Sequence, residues 1–289
     1  MGDRLHLYDT TLRDGAQTQG VDFSTADKVR IASMLDDLGI DTIEGGWPGA
    51  NPTDDAFFGS PPRLRHARLA AFGMTRRAGR SASNDPGLAA LFQSPAEVIT
   101  LVGKGSARQA EDALGVDRDE NLKMIEDSIR EAARHAEAMF DAEHFFDGFA
   151  DDPDYAMACL EAAYDGGARW LVLCDTNGGR LPHEIERTVA RMVERFGGER
   201  VGIHTHNDTG TGVAGALAGV LAGARQVQGT LNGLGERCGN ANLAALIPTL
   251  ALKLGFETGV HPDRLRRLTE VSRALDEQLN RIPNRHAAY

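Results

Sequence analysis

Eight short apolar runs, each trailed by a longer helical pattern, predict a (β/α)8 (TIM) barrel with an added C-terminal helix. Three observations carry this. Strand-like and helix-like segments alternate throughout. The repeat occurs eight times in about 230 residues, which suits a closed barrel better than an open sheet. The later runs are rich in Val, Leu and Ile, as parallel strands buried on both faces should be.

The runs fall at 5–8, 42–44, 68–72, 97–102, 138–143, 170–174, 201–206 and 226–230. Between the first two, 24–38 opens with Ser24 as a cap and Asp27 in its first turn. It carries Val29, Ile31, Ala32, Met34, Leu35 and Leu38 at helical spacing and stops at Gly39. The third unit is the least regular, with a short helix near 83–92. Further helices are expected at 121–135, 153–164, 182–196 and 212–221, several closed by glycines such as Gly166-Gly167 and Gly197-Gly198. Segment 242–254 reads as the last barrel helix and 262–280 as the added one. The whole of 1–289 reads as a single barrel domain.

Composition narrows the function. With 31 basic and 42 acidic residues the net charge is −11, which disfavours nucleic acid or an anionic membrane as partner. No apolar run approaches the roughly 18 residues a membrane helix needs, and the N-terminus lacks a signal-peptide pattern. Three cysteines, with no close pair, read as reduced thiols of a cytoplasmic protein.

Barrels of this class carry their chemistry where strands end. The first strand is followed by Asp9 to Gln17, the second by Glu44 to Pro48, and the fourth by Lys104. The fifth ends in Asp141, Glu143 and His144, the sixth in Asp175, Thr176 and Asn177, and the seventh in His204 to Asp208. Residues two apart on a strand point the same way, so His204 and His206 can face one ion. Asp14 from the first loop and Asn240 from the last would close the circle around a divalent metal ion. The competing reading is a pair of ordinary surface histidines.

Arg13 would stabilise an enolate or keto oxygen, or else pair a neighbouring acid in solvent. Glu143 ends an apolar strand, which suits proton transfer or substrate hydrogen bonding, or a buried ion pair. Thr176 would donate to a carboxylate, or merely cap a helix. The glycines of 232–239 would let backbone amides approach a phosphate, or serve only turns.

The segments DTTLRDGAQ (9–17), EGGWPGANP (44–52), DAEHFFDG (141–148), LCDTNGG (173–179), HTHND (204–208) and GERCGNANL (235–243) together resemble the α-isopropylmalate/homocitrate synthase family. The likeness runs in order along essentially the whole chain and is greatest toward citramalate synthase-like members. It implies condensation of acetyl-CoA with an α-keto acid, pyruvate giving citramalate, followed by thioester hydrolysis. It implies Asp14, His204 and His206 as ligands of Mg, Mn or Zn, with Asn240 near or on the ion. Arg13 would hold the keto oxygen and Glu143 serve in acid–base chemistry. Gln17, Thr176 and Glu44 would contact substrate. A homodimer is implied as well.

Family synthases continue into a linker subdomain and a regulatory domain, whereas this sequence stops at Tyr289, so a barrel without those parts is expected. Two other readings stay open: a lyase or aldolase of the same metal-dependent barrel group, and a non-catalytic barrel that binds keto acid.

Overall fold

The computed structural model describes residues 3–289. Eight parallel strands close on themselves in sequence order: β1 (His6–Asp9), β2 (Thr42–Gly46), β3 (Arg68–Met74), β4 (Val98–Lys104), β5 (Glu137–Glu143), β6 (Trp170–Asp175), β7 (Val201–Thr205) and β8 (Gln226–Gly229). The seam between first and last strands runs from His6↔Gln226 to Asp9↔Gly229. A register shift between Glu44 and Gly46 bends β2 just below the rim.

The helices are α1 (Thr25–Leu38), α2 (Pro52–Gly59), α3 (Pro86–Gln93), α4 (Ala107–Gln109), α5 (Arg118–Ala132), α6 (Phe145–Asp151), α7 (Pro153–Gly166), α8 (Pro182–Phe196), α9 (Gly212–Leu221), α10 (Leu243–Pro248), α11 (Pro262–Leu265) and α12 (Leu268–Gln278). Local chemistry sets their ends. Ser24 and Asp27 cap α1 reciprocally, and Gly39, at φ 106°, ends it in a left-handed conformation open chiefly to glycine. In α8, Pro182 occupies the first turn, and Ile185, Val189, Met192 and Phe196 bury one stripe against the sheet.

Two apolar layers result. One lies between the strands and the helices. The other fills the barrel with Tyr8, Ala70, Val98, Met139, Trp170, Val172 and Cys174. The buried polar side chains Thr100, Gln226 and Gln228 accompany that inner layer.

Several expectations need revision. α2 and α6 were not expected: each is only two turns long and too short to display a periodic stripe. β7 stops at Thr205, and His206 instead forms an isolated antiparallel bridge with Asn240. The helix expected over 242–254 runs as α10 to Pro248 and then widens into a π turn at Thr249–Lys253. The one expected over 262–280 breaks between α11 and α12.

Candidate active site at the barrel mouth

The first βα loop is a tight turn. Asp9 is fully buried and accepts from Thr11 N at 2.8 Å and Thr11 Oγ1 at 2.9 Å. Arg13 N and Gly15 N both donate to Thr10 O. This folding turns Arg13 and Asp14 inward over the barrel. Arg13 Nε donates to Glu44 Oε1 at 2.6 Å, its Nη1 lies 3.4 Å from Asp14 Oδ2, and its guanidinium sits 3.8 Å over the Phe72 ring. Burial opposes its charge, yet Glu44 and then Asp14 raise its pKa further. Arg13 is therefore a fixed cation.

Across the seam, His204 Nε2 lies 3.2 Å from His206 Nε2 and 3.5 Å from Asp14 Oδ2. One ligand atom from each of the three residues falls within 4.8 Å of the others, and all three are buried. Asn240 donates through Nδ2 to Asp14 Oδ1 at 2.9 Å and to Leu234 O at 3.0 Å. Asn240 Oδ1 is buried without a partner, as is His206 Nδ1. Gly235 permits this approach: at φ 154° it passes so close to the Asn240 amide that a Cβ would collide with it.

A carboxylate and two imidazoles with lone pairs converging, next to an orphaned amide oxygen, form a donor set that fits a divalent cation. Burial, with His204 close beside it, pushes the His206 pKa down to about 3, so its ring is neutral and able to ligate.

These groups floor a cavity of about 360 Å³. Trp47, Phe72, Met74 and Val102 give it an apolar side, with Trp47 edge-on to Phe72 at 5.6 Å. Its other walls hold Lys104, Asp141, Glu143, Thr176 and Glu236, so four carboxyl groups including Asp14 face the two cations Arg13 and Lys104. A larger hollow of about 700 Å³ lies among Arg4, Asp41 and Arg264 and contains none of these groups.

Among the residues singled out from sequence, Arg13, Asp14, Gln17, Glu143, Thr176, His204 and His206 all line the one cavity. Gln17 is at its exposed edge, in the short turn Gly15–Gln17. Glu143 is ion-paired with Lys104. Thr176 Oγ1 accepts from His144 N at 2.8 Å, which leaves its own proton free to be donated.

Glu44 departs from expectation. It was expected to contact substrate, but it is fully buried and off the cavity wall. Its carboxylate accepts from Tyr8, Thr10 and Arg13. It therefore acts on Arg13 rather than on a ligand. The three glycine amides of loop 232–239 serve the fold: Gly235 N donates to Thr18 Oγ1, Gly233 N to Thr230 O and Gly239 N to Glu236 O. The turn reading applies there.

Lys104 and Asp141 stood at strand ends in the sequence without a role, and the cavity wall includes both. Burial, with Glu44 nearby, pushes the Asp141 carboxyl up to about 8. Phe72 and Gln228 were missed. The available signal for Gln228 was a pair of glutamines two apart in a run whose side chains should be buried.

Comparison with known proteins agrees with this geometry. Residues 4–272 match the HMGL-like family. The chain is 50% identical over 292 residues to an (R)-citramalate synthase from Aquifex aeolicus, covering 100% of this chain and 55% of that protein. It is 32% identical to a 2-isopropylmalate synthase from Sulfolobus acidocaldarius, covering 95% of this chain and 68% of that protein. The chain thus spans about half the length of the citramalate synthase it matches. The fold is shared with a hydroxymethylglutaryl-CoA lyase from Pseudomonas aeruginosa, at TM-score 0.81 and 18% identity over 98% of this chain and 95% of that one. With the barrel, the motif order and the rim cluster all in agreement, the chain belongs to the HMGL-like family, in its isopropylmalate and citramalate synthase-like branch.

Proposed function

We propose that this chain is the catalytic barrel of a cation-dependent Claisen-type synthase. It condenses acetyl-CoA with an α-keto acid, pyruvate favoured, and hydrolyses the thioester to give citramalate and free CoA. The observation that carries the reading is one cavity on which Arg13, Glu143 and Thr176 converge with Asp14, His204 and His206. Similarity along the whole chain to a protein named (R)-citramalate synthase supports pyruvate as the keto acid.

The residues divide the work. Thr176 donates to the keto-acid carboxylate. Arg13, held by Glu44 and backed by Phe72, donates to the keto oxygen and needs no rearrangement as charge develops there. Glu143, paired with Lys104, takes a proton from the acetyl methyl group, whose carbon then attacks the keto carbon. The new oxyanion lies against Arg13 and takes up the proton that Glu143 removed, which returns Glu143 to its carboxylate form. Water then attacks the thioester carbonyl, and CoA leaves as the thiol. The apolar side formed by Trp47, Phe72, Met74 and Val102 limits water around the reacting carbons. Asp14, His204 and His206, with Asn240 beside them, would hold a divalent cation (Mg, Mn or Zn), which would supply Lewis-acid polarisation of the keto oxygen.

The test mixes the chain with acetyl-CoA, each of the three metals, and pyruvate, 2-oxobutyrate or 2-oxoisovalerate, and follows free thiol. Release of CoA fastest with pyruvate, with citramalate as product, is expected. No release with any keto acid, despite cation binding, overturns the reading. Cleavage of a hydroxyacyl-CoA in its place would mark a lyase, and stoichiometric pyruvate binding without turnover would mark a binding barrel. The same reading carries a cytosolic location, in line with the unpaired thiols of Cys159, Cys174 and Cys238, and a homodimer detectable by sedimentation. No helix among the described residues is long and apolar enough to cross a membrane.

A further inference from the structure

Gln228 lies on β8, in register with His204 on β7, and both side chains are buried in the barrel. Its Oε1 accepts from His204 Nδ1 at 2.8 Å. Its Nε2 donates to Asp141 Oδ1 at 3.1 Å and faces Met139 Sδ at 3.6 Å. Two residues earlier, Gln226 makes no comparable pairing: its Nε2 faces Met139 Sδ at 3.7 Å, and its Oε1 is buried without a partner.

This asymmetry has a chemical consequence. A neutral imidazole carries its proton on one nitrogen only, and the hydrogen bond at the other end decides which. A carbonyl opposite Nδ1 keeps the proton there and leaves a lone pair on Nε2. That is the atom facing Asp14 Oδ2 and His206 Nε2. An amide has nearly the same shape in either orientation, so the carbonyl needs something to hold it. Asp141 Oδ1 does this by accepting from the amide nitrogen, and it remains an acceptor even when Oδ2 carries a proton.

We infer that Gln228, oriented by Asp141, is a positioning residue that fixes the tautomer and ring direction of His204 so that Nε2 is presented to a cation. This rests on the reading of Asp14, His204 and His206 as cation ligands. Partners of this kind on ligating histidines typically change metal affinity by about 10- to 100-fold when removed.

The experiment uses the full chain stripped of metal by chelation, with Zn²⁺ and Mn²⁺ affinity measured by competition against a chromophoric chelator. Gln228→Leu is expected to bind about 10- to 100-fold more weakly than the unmodified chain. Gln228→Glu keeps an acceptor for Nδ1–H, sharing one proton with Asp141, and is expected to recover most of the affinity. Gln226→Leu is expected to leave it unchanged. Independently of any metal, ring nitrogen NMR of the stripped protein should show His204 protonated at Nδ1, and Gln228→Glu should retain that pattern. If Gln228→Leu fails to fold, the Gln228→Glu and NMR measurements still decide. Cation binding by the unmodified chain with unchanged affinity in Gln228→Leu overturns this inference alone. So does a His204 proton on Nε2. Absence of cation binding by the unmodified chain overturns both it and the reading on which it rests.

Discussion

Glu44 accepts from Arg13 Nε at 2.6 Å, and no solvent reaches its carboxylate. Arg13 lines the cavity and Glu44 lies behind it, so the pair tests whether a buried carboxylate is maintained for the cation it presents. Removing one partner of such a pair costs up to about 3–5 kcal/mol, and less here because Asp14 still faces the Arg13 guanidinium. Glu44→Gln should therefore lower the melting temperature by several degrees, at about 2–4 °C per kcal/mol for a chain of this size. Condensation activity should fall with it while the cation affinity of Asp14, His204 and His206 changes little. Calorimetry together with chelator competition checks both halves. A melting temperature equal to that of the unmodified chain would contradict the role assigned to Glu44.

A ligand that binds only the folded state stabilises it by mass action, by about 2.7 kcal/mol at a hundred times its dissociation constant. Saturating Zn²⁺ or Mn²⁺ should therefore raise the melting temperature of the stripped chain by about 5–10 °C. Asp14→Ala and His206→Ala should show almost none of this rise. Chelation should abolish CoA release, and added metal should restore it. A thermal scan with and without metal is sufficient, and equal rises in all three proteins would rule out the ligand set.

Thr176 Oγ1 accepts from His144 N and has one proton left to give. Thr176→Val keeps the shape and loses the donor. A hydrogen bond to a charged group is worth about 1.5–3 kcal/mol, so KM for the keto acid should rise about tenfold or more. The KM for acetyl-CoA should stay nearly the same. Steady-state kinetics with each substrate varied in turn separates the two, and an equal rise in both would point to disturbed packing.

Acid should act through Asp147. His144 beside it, then Arg180 and Asn177, hold its pKa down at about 2. Arg180 Nη2 donates to it at 2.8 Å and Asn177 Nδ2 at 2.6 Å, while His144 Nδ1 stands off at 3.9 Å. A carboxylate whose folded pKa is depressed stabilises the fold above its unfolded value near 4. That contribution fades as pH falls from about 4 through about 2. Asp147 is partly exposed, so solvent screening reduces the effect. Urea midpoints for the unmodified chain and Asp147→Asn should differ at pH 5 and converge toward pH 2. A constant difference across that range would refute the linkage.

Much of the molecule was legible before folding was considered. α8 and α9 appear at their expected bounds because Pro182 opens one and glycines follow both segments. His204 and His206 were found because their spacing survives the end of β7: the bridge from His206 to Asn240 keeps the second ring on the cavity. What could not be read was depth. Glu44 ends a strand like any rim acid, and only the packing of Tyr8, Thr10 and Arg13 around it reveals that it is sealed. Phe72 looked like core until Arg13 lay over its ring. α6 follows directly on His144, whose left-handed φ of 57° turns the chain sharply, and no local pattern announces such a turn.

The seam joining β1 to β8 has an implication for synthesis. Asp14 belongs to the first βα unit, whereas His204, His206 and Asn240 belong to the last two, and Leu231 N must still reach Thr11 Oγ1 to lock the two ends of the barrel together. A chain synthesised only as far as β6 thus holds just one of the three proposed ligands, whatever its helices have already achieved. On the proposed reading, a cation could be gripped only after the barrel's two ends have met.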